Sequence, residues 1–297
     1  MSRARPDPYY HTGLTSYHIG TIDCLAEAVI SRTGARAGEA AAWVRMEDWL
    51  QQILLNRFDA ERKRVVTVSP EVQNALNVIF NEDSSLYKAR GWNQRSGYGK
   101  SIAILNIDLA NAWTRKGYRF TCEDMDEQII PGTQRLLAAA RKKNLPIIYT
   151  TTAFCSRFDI GAFPLKGPWE DLMLGTPGVE IDDRIKPIAG VDTLIVKKRP
   201  SAFAGTHLGG ILRAGGIDTL ICTGVTMAGC VRHTVEDALG EGIRTVIVRE
   251  CVGDRVAAAV EWNMFDLDMK YSDVEPLEKV IAYIEGNQVL VYEYPTA

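Results

Sequence analysis

The sequence predicts an α/β fold in three layers, helices on both faces of a mainly parallel sheet, with a helical extension ahead of it. Three observations carry this. From Ser101 onward short apolar runs alternate with segments of helical period, the order that builds β-α-β units. The runs are apolar throughout rather than alternately polar, as strands covered on both faces must be. The chain, 297 residues with 46% hydrophobic residues, is long enough to bury such a core.

The extension comes first in the chain. Ile22, Leu25, Val29 and Ile30 keep helical spacing, and Trp43, Met46, Leu50, Ile53, Leu54 and Phe58 do so over a longer span. Ser69-Pro70-Glu71 reads as an N-cap, a proline at the first helical position and an acidic first turn, leading into Val72, Ala75, Leu76, Ile79 and Phe80. Residues 91–100, with three glycines in a polar stretch, form a linker. The expected division is therefore a helical extension over 1–85 and a main domain over 86–297.

In the main domain, 101–108, 146–152, 193–197, 219–223 and 244–249 are the expected strands. The expected helices are 132–143, 201–214, 229–241, 256–267 and 277–285. In such sheets ligands bind outside the carboxyl ends of the strands. Asp108, Lys197 and Cys230 stand at those ends. Cys230 follows a strand and a turn with two glycines and opens a helix, where the helix dipole and a nearby cation would lower the thiol pKa. A buried structural cysteine is the alternative. Asp108 could exchange a proton with the thiol or cap a helix. Lys198 matches Lys197 in local pattern. Cys222 and Cys251 read as core cysteines.

Charge and composition narrow the partners. A net charge of -3, from 34 Lys+Arg against 37 Asp+Glu, leaves no basic field for nucleic acid. No apolar run reaches membrane-span length, and residues 1–10 lack the apolar centre of a signal peptide, so a soluble, cytoplasmic protein is expected. The six cysteines are scattered singly, without a CxxC pair.

Five words of sequence resemble the isochorismatase-like cysteine hydrolases, in the branch of N-carbamoylsarcosine amidase and maleamate amidohydrolase. They are YGKSIAILNID at Tyr98–Asp108, KKRPSAFAGTHL at Lys197–Leu208, GIDTLICTGVTMAGCVR at Gly216–Arg232, VGDR at Val252–Arg255 and FDLDMKYSDV at Phe265–Val274. The resemblance implies a cysteine amidohydrolase of small linear amides (an N-carbamoyl amino acid, maleamate or similar) without metal or cofactor; a biuret- or urea-type amide hydrolase and a catalytically silent binding or assembly protein on the same fold are the alternatives. It makes Asp108 the general acid/base, Lys197 rather than Lys198 the supporting cation, and Cys230 the nucleophile. It also implies a non-proline cis peptide at Val225-Thr226, aiming the Thr226 and Cys230 amides at the substrate oxygen. Arg255 becomes the grip for a substrate carboxylate, a structural salt bridge to Asp254 or Asp266 being the alternative. Nicotinamidases of the same fold hold a metal through histidines, and none of His11, His18, His207 and His233 lies between Asp108 and Lys197. Met227-Ala228 is more apolar than the usual pair before Gly-Cys, and His233 replaces a common alanine, so a pocket of altered polarity is expected. Relatives are commonly oligomeric, and a homo-oligomer, dimer or tetramer, is expected here.

Overall fold

The computed structural model describes residues 70–162 and 165–286. The two expected helices before Pro70 lie outside the described residues. Helix α1 (Pro70–Ala89) begins at the predicted proline and runs through the expected boundary at 85/86. Its Phe80 ring stacks on Phe265, with centroids 4.5 Å apart. The linker after it is pinned from the main domain: Asp273 accepts the Ser96 and Gly97 N–H groups, and Asp218 those of Lys100 and Ser101.

The sheet comprises β1 (Ile102–Ile107), β2 (Ile147–Thr152), β3 (Thr193–Lys197), β4 (Thr219–Val225), β5 (Arg244–Gly253) and β6 (Asp273–Glu275), in the spatial order β3-β2-β1-β4-β5-β6. Every pairing is parallel. Alternate residues of β1 feed two cores. Ile102 and Ile104 face α2 (Ile130–Lys142) and α6 (Leu277–Gly286), packing with Leu136, Leu137, Val280 and Ile284. Ala103, Leu105 and Ile107 face α3 (Leu208–Ala214), α4 (Arg232–Gly240) and α5 (Ala257–Lys270), packing with Leu212, Val235 and Leu267. The period of two along a strand thus splits one apolar run between both layers.

Three elements depart from expectation. The segment 201–207 is a chain of turns, so α3 starts at Leu208: Gly205 takes φ +71°, and the Thr206 hydroxyl accepts the Leu208 N–H in a local turn ahead of the helix. β5 runs on to Gly253 across a register shift opposite Cys222 and Gly224, a continuation hidden by the polar Arg249-Glu250 pair. The three-residue β6 is too short to show periodicity.

Candidate active site

The sheet order changes direction between β1 and β4, since β1 connects to β2 on one side and pairs with β4 on the other. Such a switch point opens a crevice at the carboxyl ends of the strands. Asp108 leaves β1 there with φ 54°, a left-handed conformation that aspartate tolerates, and its N–H donates to the Thr150 carbonyl. Lys197 ends β3 directly opposite Thr152 of β2. Beside them β4 approaches β1 so closely that a Cβ on Gly224 would lie 1.9 Å from the Ile107 carbonyl oxygen; glycine is required at that position.

The three side chains meet in one buried cluster. Lys197 Nζ is 2.7 Å from Asp108 Oδ2 and donates to Cys230 Sγ at 3.3 Å, to Thr152 Oγ1 at 2.8 Å and to the Arg199 carbonyl at 3.1 Å. Asp108 accepts hydroxyl hydrogen bonds on both oxygens, from Thr150 at 2.8 Å and Thr152 at 3.0 Å. Asp108, Lys197 and Cys230 are 0%, 1% and 5% exposed, so the charged pair lies in a medium that strengthens it. Lys198 points elsewhere, to the Ala153 carbonyl and the Asp159 carboxylate.

Cys230 lies in a π turn, Met227–Val231, that leads into α4. Its thiol contradicts the expected lowered pKa. Burial pushes it up to about 12; the Lys197 ammonium pulls the other way, and the Asp108 carboxylate offsets part of that pull. Burial would lower the Lys197 ammonium, but attraction to Asp108 outweighs it and the group is raised. The resting arrangement is a neutral thiol beside an ion pair. A group that takes up the thiol proton is therefore needed before sulfur can attack, and Asp108 is at hand.

The peptide between Val225 and Thr226 is cis, as the resemblance implies. The Thr226 carbonyl accepts the Gly229 and Val231 N–H groups, and Asp254 accepts that of Ala228. Met227 is buried in the core and Ala228 is exposed. His233 is exposed and donates from Nδ1 to the Gly229 carbonyl at 2.7 Å.

Arg255, just beyond β5, leaves 45% of its side chain exposed and stands 3.8 Å from Asp254. Its guanidinium lies over the Trp113 ring, 5.8 Å from the centroid. Asp266, the other carboxylate considered for it, is held instead by Arg232 and Lys270. The buried Cys122 thiol, raised by burial, feels Asp254, Arg255 and Cys230 together. Sequence reasoning missed Thr150, Thr152 and Trp113, and named Asp254 only as a salt-bridge partner of Arg255, not as the acceptor of the Ala228 N–H. The threonines read as ordinary β-formers, and only the β1/β2 register turns them toward Asp108. Among the described residues no His, Cys, Asp and Glu group has the form of a metal site, and no helix is long and apolar enough to cross a membrane.

Comparison with known proteins places this geometry. Residues 102–275 match the isochorismatase domain. The chain is 46% identical over 217 residues to the N-carbamoylsarcosine amidase of an Arthrobacter species, covering 71% of this chain and 81% of that protein. It is 34% identical over 186 residues to the maleamate amidohydrolase of Pseudomonas putida, covering 62% and 86%. Among solved structures, the N-carbamoylsarcosine amidase of Thermoplasma acidophilum superposes with a TM-score of 0.52 at 26% identity, over 60% of this chain and 97% of that one. The sheet, the switch-point cluster and the matched span agree: the chain belongs to the isochorismatase family of hydrolases.

Proposed function

We propose that the chain is an amidohydrolase that cleaves a small linear amide bearing a carboxylate, an N-carbamoyl amino acid or maleamate, through a cysteine thioester. The observation that carries the reading is the buried contact of Lys197 with both Asp108 and Cys230. Asp108 takes the thiol proton as Cys230 Sγ attacks the amide carbon. Lys197 holds the negative charge passing between sulfur and carboxylate. The N–H groups of Thr226 and Cys230 receive the oxyanion. The carbon–nitrogen bond then breaks and Asp108 returns the proton to the departing ammonia; water attacks the thioester, a thiocarbamate for an N-carbamoyl substrate, with Asp108 again as base, the carbon–sulfur bond breaks, and Asp108 gives the proton back to the Cys230 thiol.

Arg255 grips the substrate carboxylate. Its support is the exposed guanidinium over Trp113, whose nearest carboxylate leaves it at 3.8 Å. The relatives named for N-carbamoylsarcosine and maleamate act on amides of this kind. The chemistry needs no metal or other cofactor. We place the enzyme in the cytoplasm as a homo-oligomer, dimer or tetramer, with a helical extension ahead of the hydrolase domain.

The test is ammonia release from N-carbamoylsarcosine, maleamate, ureidoacrylate and biuret by the wild type and Cys230→Ala. Turnover of a carboxylate-bearing amide, lost in the variant, is expected. Turnover that survives Cys230→Ala overturns the mechanism, and a preference for biuret overturns the substrate class.

A further inference from the structure

Asp254 is the first residue beyond β5 and is 8% exposed. Both of its carboxylate oxygens are used, each on a different part of the site. Oδ2 accepts the Ala228 N–H at 3.0 Å, and Oδ1 accepts the Arg255 N–H at 2.8 Å. Its carbonyl accepts the Glu123 N–H at 3.3 Å. Ala228 stands between Thr226 and Cys230. The turn that carries the nucleophile is thus held from inside by the Thr226 carbonyl, which takes two N–H groups, and from outside by Asp254.

We propose that Asp254 is a positioning residue of the reaction, registering the Cys230 turn against Arg255 so that one carboxylate sets the span between the reacting carbonyl and the carboxylate grip. The inference rests on the amidohydrolase reading above. The ionised side chain suits the task because it offers acceptors on both oxygens, and the two groups it holds are both donors. Asparagine, equal in size, offers one acceptor and one amino group. Whichever way it turns, that amino group faces a backbone N–H, and one of the two bonds is lost. A misplacement of about 1 Å in a site of this kind costs up to roughly a hundredfold in rate, so a bond that only fixes register has a kinetic signature.

Asp254→Asn, Arg255→Ala and their combination are compared on N-carbamoylsarcosine and its uncharged methyl ester, or on maleamate and its ester if that is the acid turned over. Asp254→Asn is expected to lower kcat about tenfold or more on acid and ester alike, and to raise KM several-fold on the acid alone. In the double variant the KM for the acid should be no higher than in Arg255→Ala, because Asp254 acts on the carboxylate only through Arg255. KM increases that multiply, an equal KM rise on the ester, or wild-type constants in Asp254→Asn overturn the proposal. Asp254→Glu, which keeps the charge and displaces the oxygens, carries the same comparison if the asparagine variant is insoluble. Cys230→Ala serves as the control for the underlying reading: turnover in that variant sinks the reading, whereas an inactive control with multiplying KM effects sinks the role of Asp254 alone.

Discussion

Lys197 Nζ stands 2.7 Å from Asp108 Oδ2 and 3.3 Å from Cys230 Sγ, with the lysine and the aspartate both out of solvent. A buried ion pair of this kind is held by each partner's need of the other. Removing one charge leaves the second stranded, at a cost of about 3 to 5 kcal/mol, whereas removing both can be nearly neutral. Lys197→Met should therefore unfold at clearly lower denaturant than the wild type. Lys197→Met with Asp108→Asn should regain most of that stability and none of the activity. Urea titration of the three proteins gives the answer, and a double variant weaker than Lys197→Met would show that the pair is not coupled in this way.

The raised thiol of Cys230 reverses the reactivity order that its neighbours alone suggest. Among the described cysteines Cys155 is exposed, and Cys122, Cys222, Cys230 and Cys251 are buried. Iodoacetamide at neutral pH and without substrate should modify Cys155 before Cys230, with turnover retained while only Cys155 is labelled. Cys230 should label faster as pH rises toward about 12, as its thiolate fraction grows. Peptide mapping over a pH series checks both statements. Rapid, pH-independent labelling of Cys230 from pH 6 upward would contradict the resting neutral thiol.

What the sequence disclosed follows from where the signal is local. Strands such as Ile102–Ile107, apolar but for Asn106, announced a covered sheet, and their carboxyl ends pointed to Asp108, Lys197 and Cys230. Choosing Lys197 over Lys198 needed the family resemblance, because consecutive residues of a strand differ only in the face they take. The thiol's electrostatics were misjudged because they depend on depth: burial acts on every charge at the site, and no motif records it. Thr150, Thr152 and Asp254 act through contacts across 42, 44 and 26 positions of sequence. A single sequence carries no trace of such pairings.

Arg255→Ala should weaken use of a carboxylate-bearing amide and spare an uncharged one. With 45% of the side chain exposed, solvent screens the interaction, so the loss belongs at the lower end for a charged contact, about 1 to 2 kcal/mol in kcat/KM. Steady-state kinetics on an acid and its methyl ester decide the matter. Equal losses on both would make the arginine structural.

Acid lability should centre on Asp182, which is fully buried. Burial alone would raise its carboxyl, but hydrogen bonds from Arg184 and Thr114, with the Arg184 charge, hold it well below the usual carboxylate range. A depressed folded value contributes stability above the unfolded value of about 4, and that stability drains away as pH falls below it. Asp182→Asn should lose Tm at pH 7, and its deficit against the wild type should shrink steadily from about pH 4 downward. Melting curves across that range test the sign, and a deficit that grows in acid would refute it.

Self-association is the remaining expectation, and the described residues sharpen how it should be tested. Helix α1 leaves Val78 57%, Ile79 43% and Leu86 51% exposed, and Trp262 of α5 is 47% exposed. Phe80 packs on both Trp262 and Phe265, so α1 is docked on the domain and any shortened chain has to begin before Pro70. Apolar side chains gathered on one helical layer are more than scattered surface residues, and they fit a surface covered by another subunit. Light scattering should give a mass at least twice the 32.9 kDa of the chain, and Val78→Glu combined with Leu86→Glu should reduce it without lowering the Tm of the domain. A full-length protein that scatters as a monomer at micromolar concentration would end the idea. An oligomer that withstands both charges would move the contact to another face.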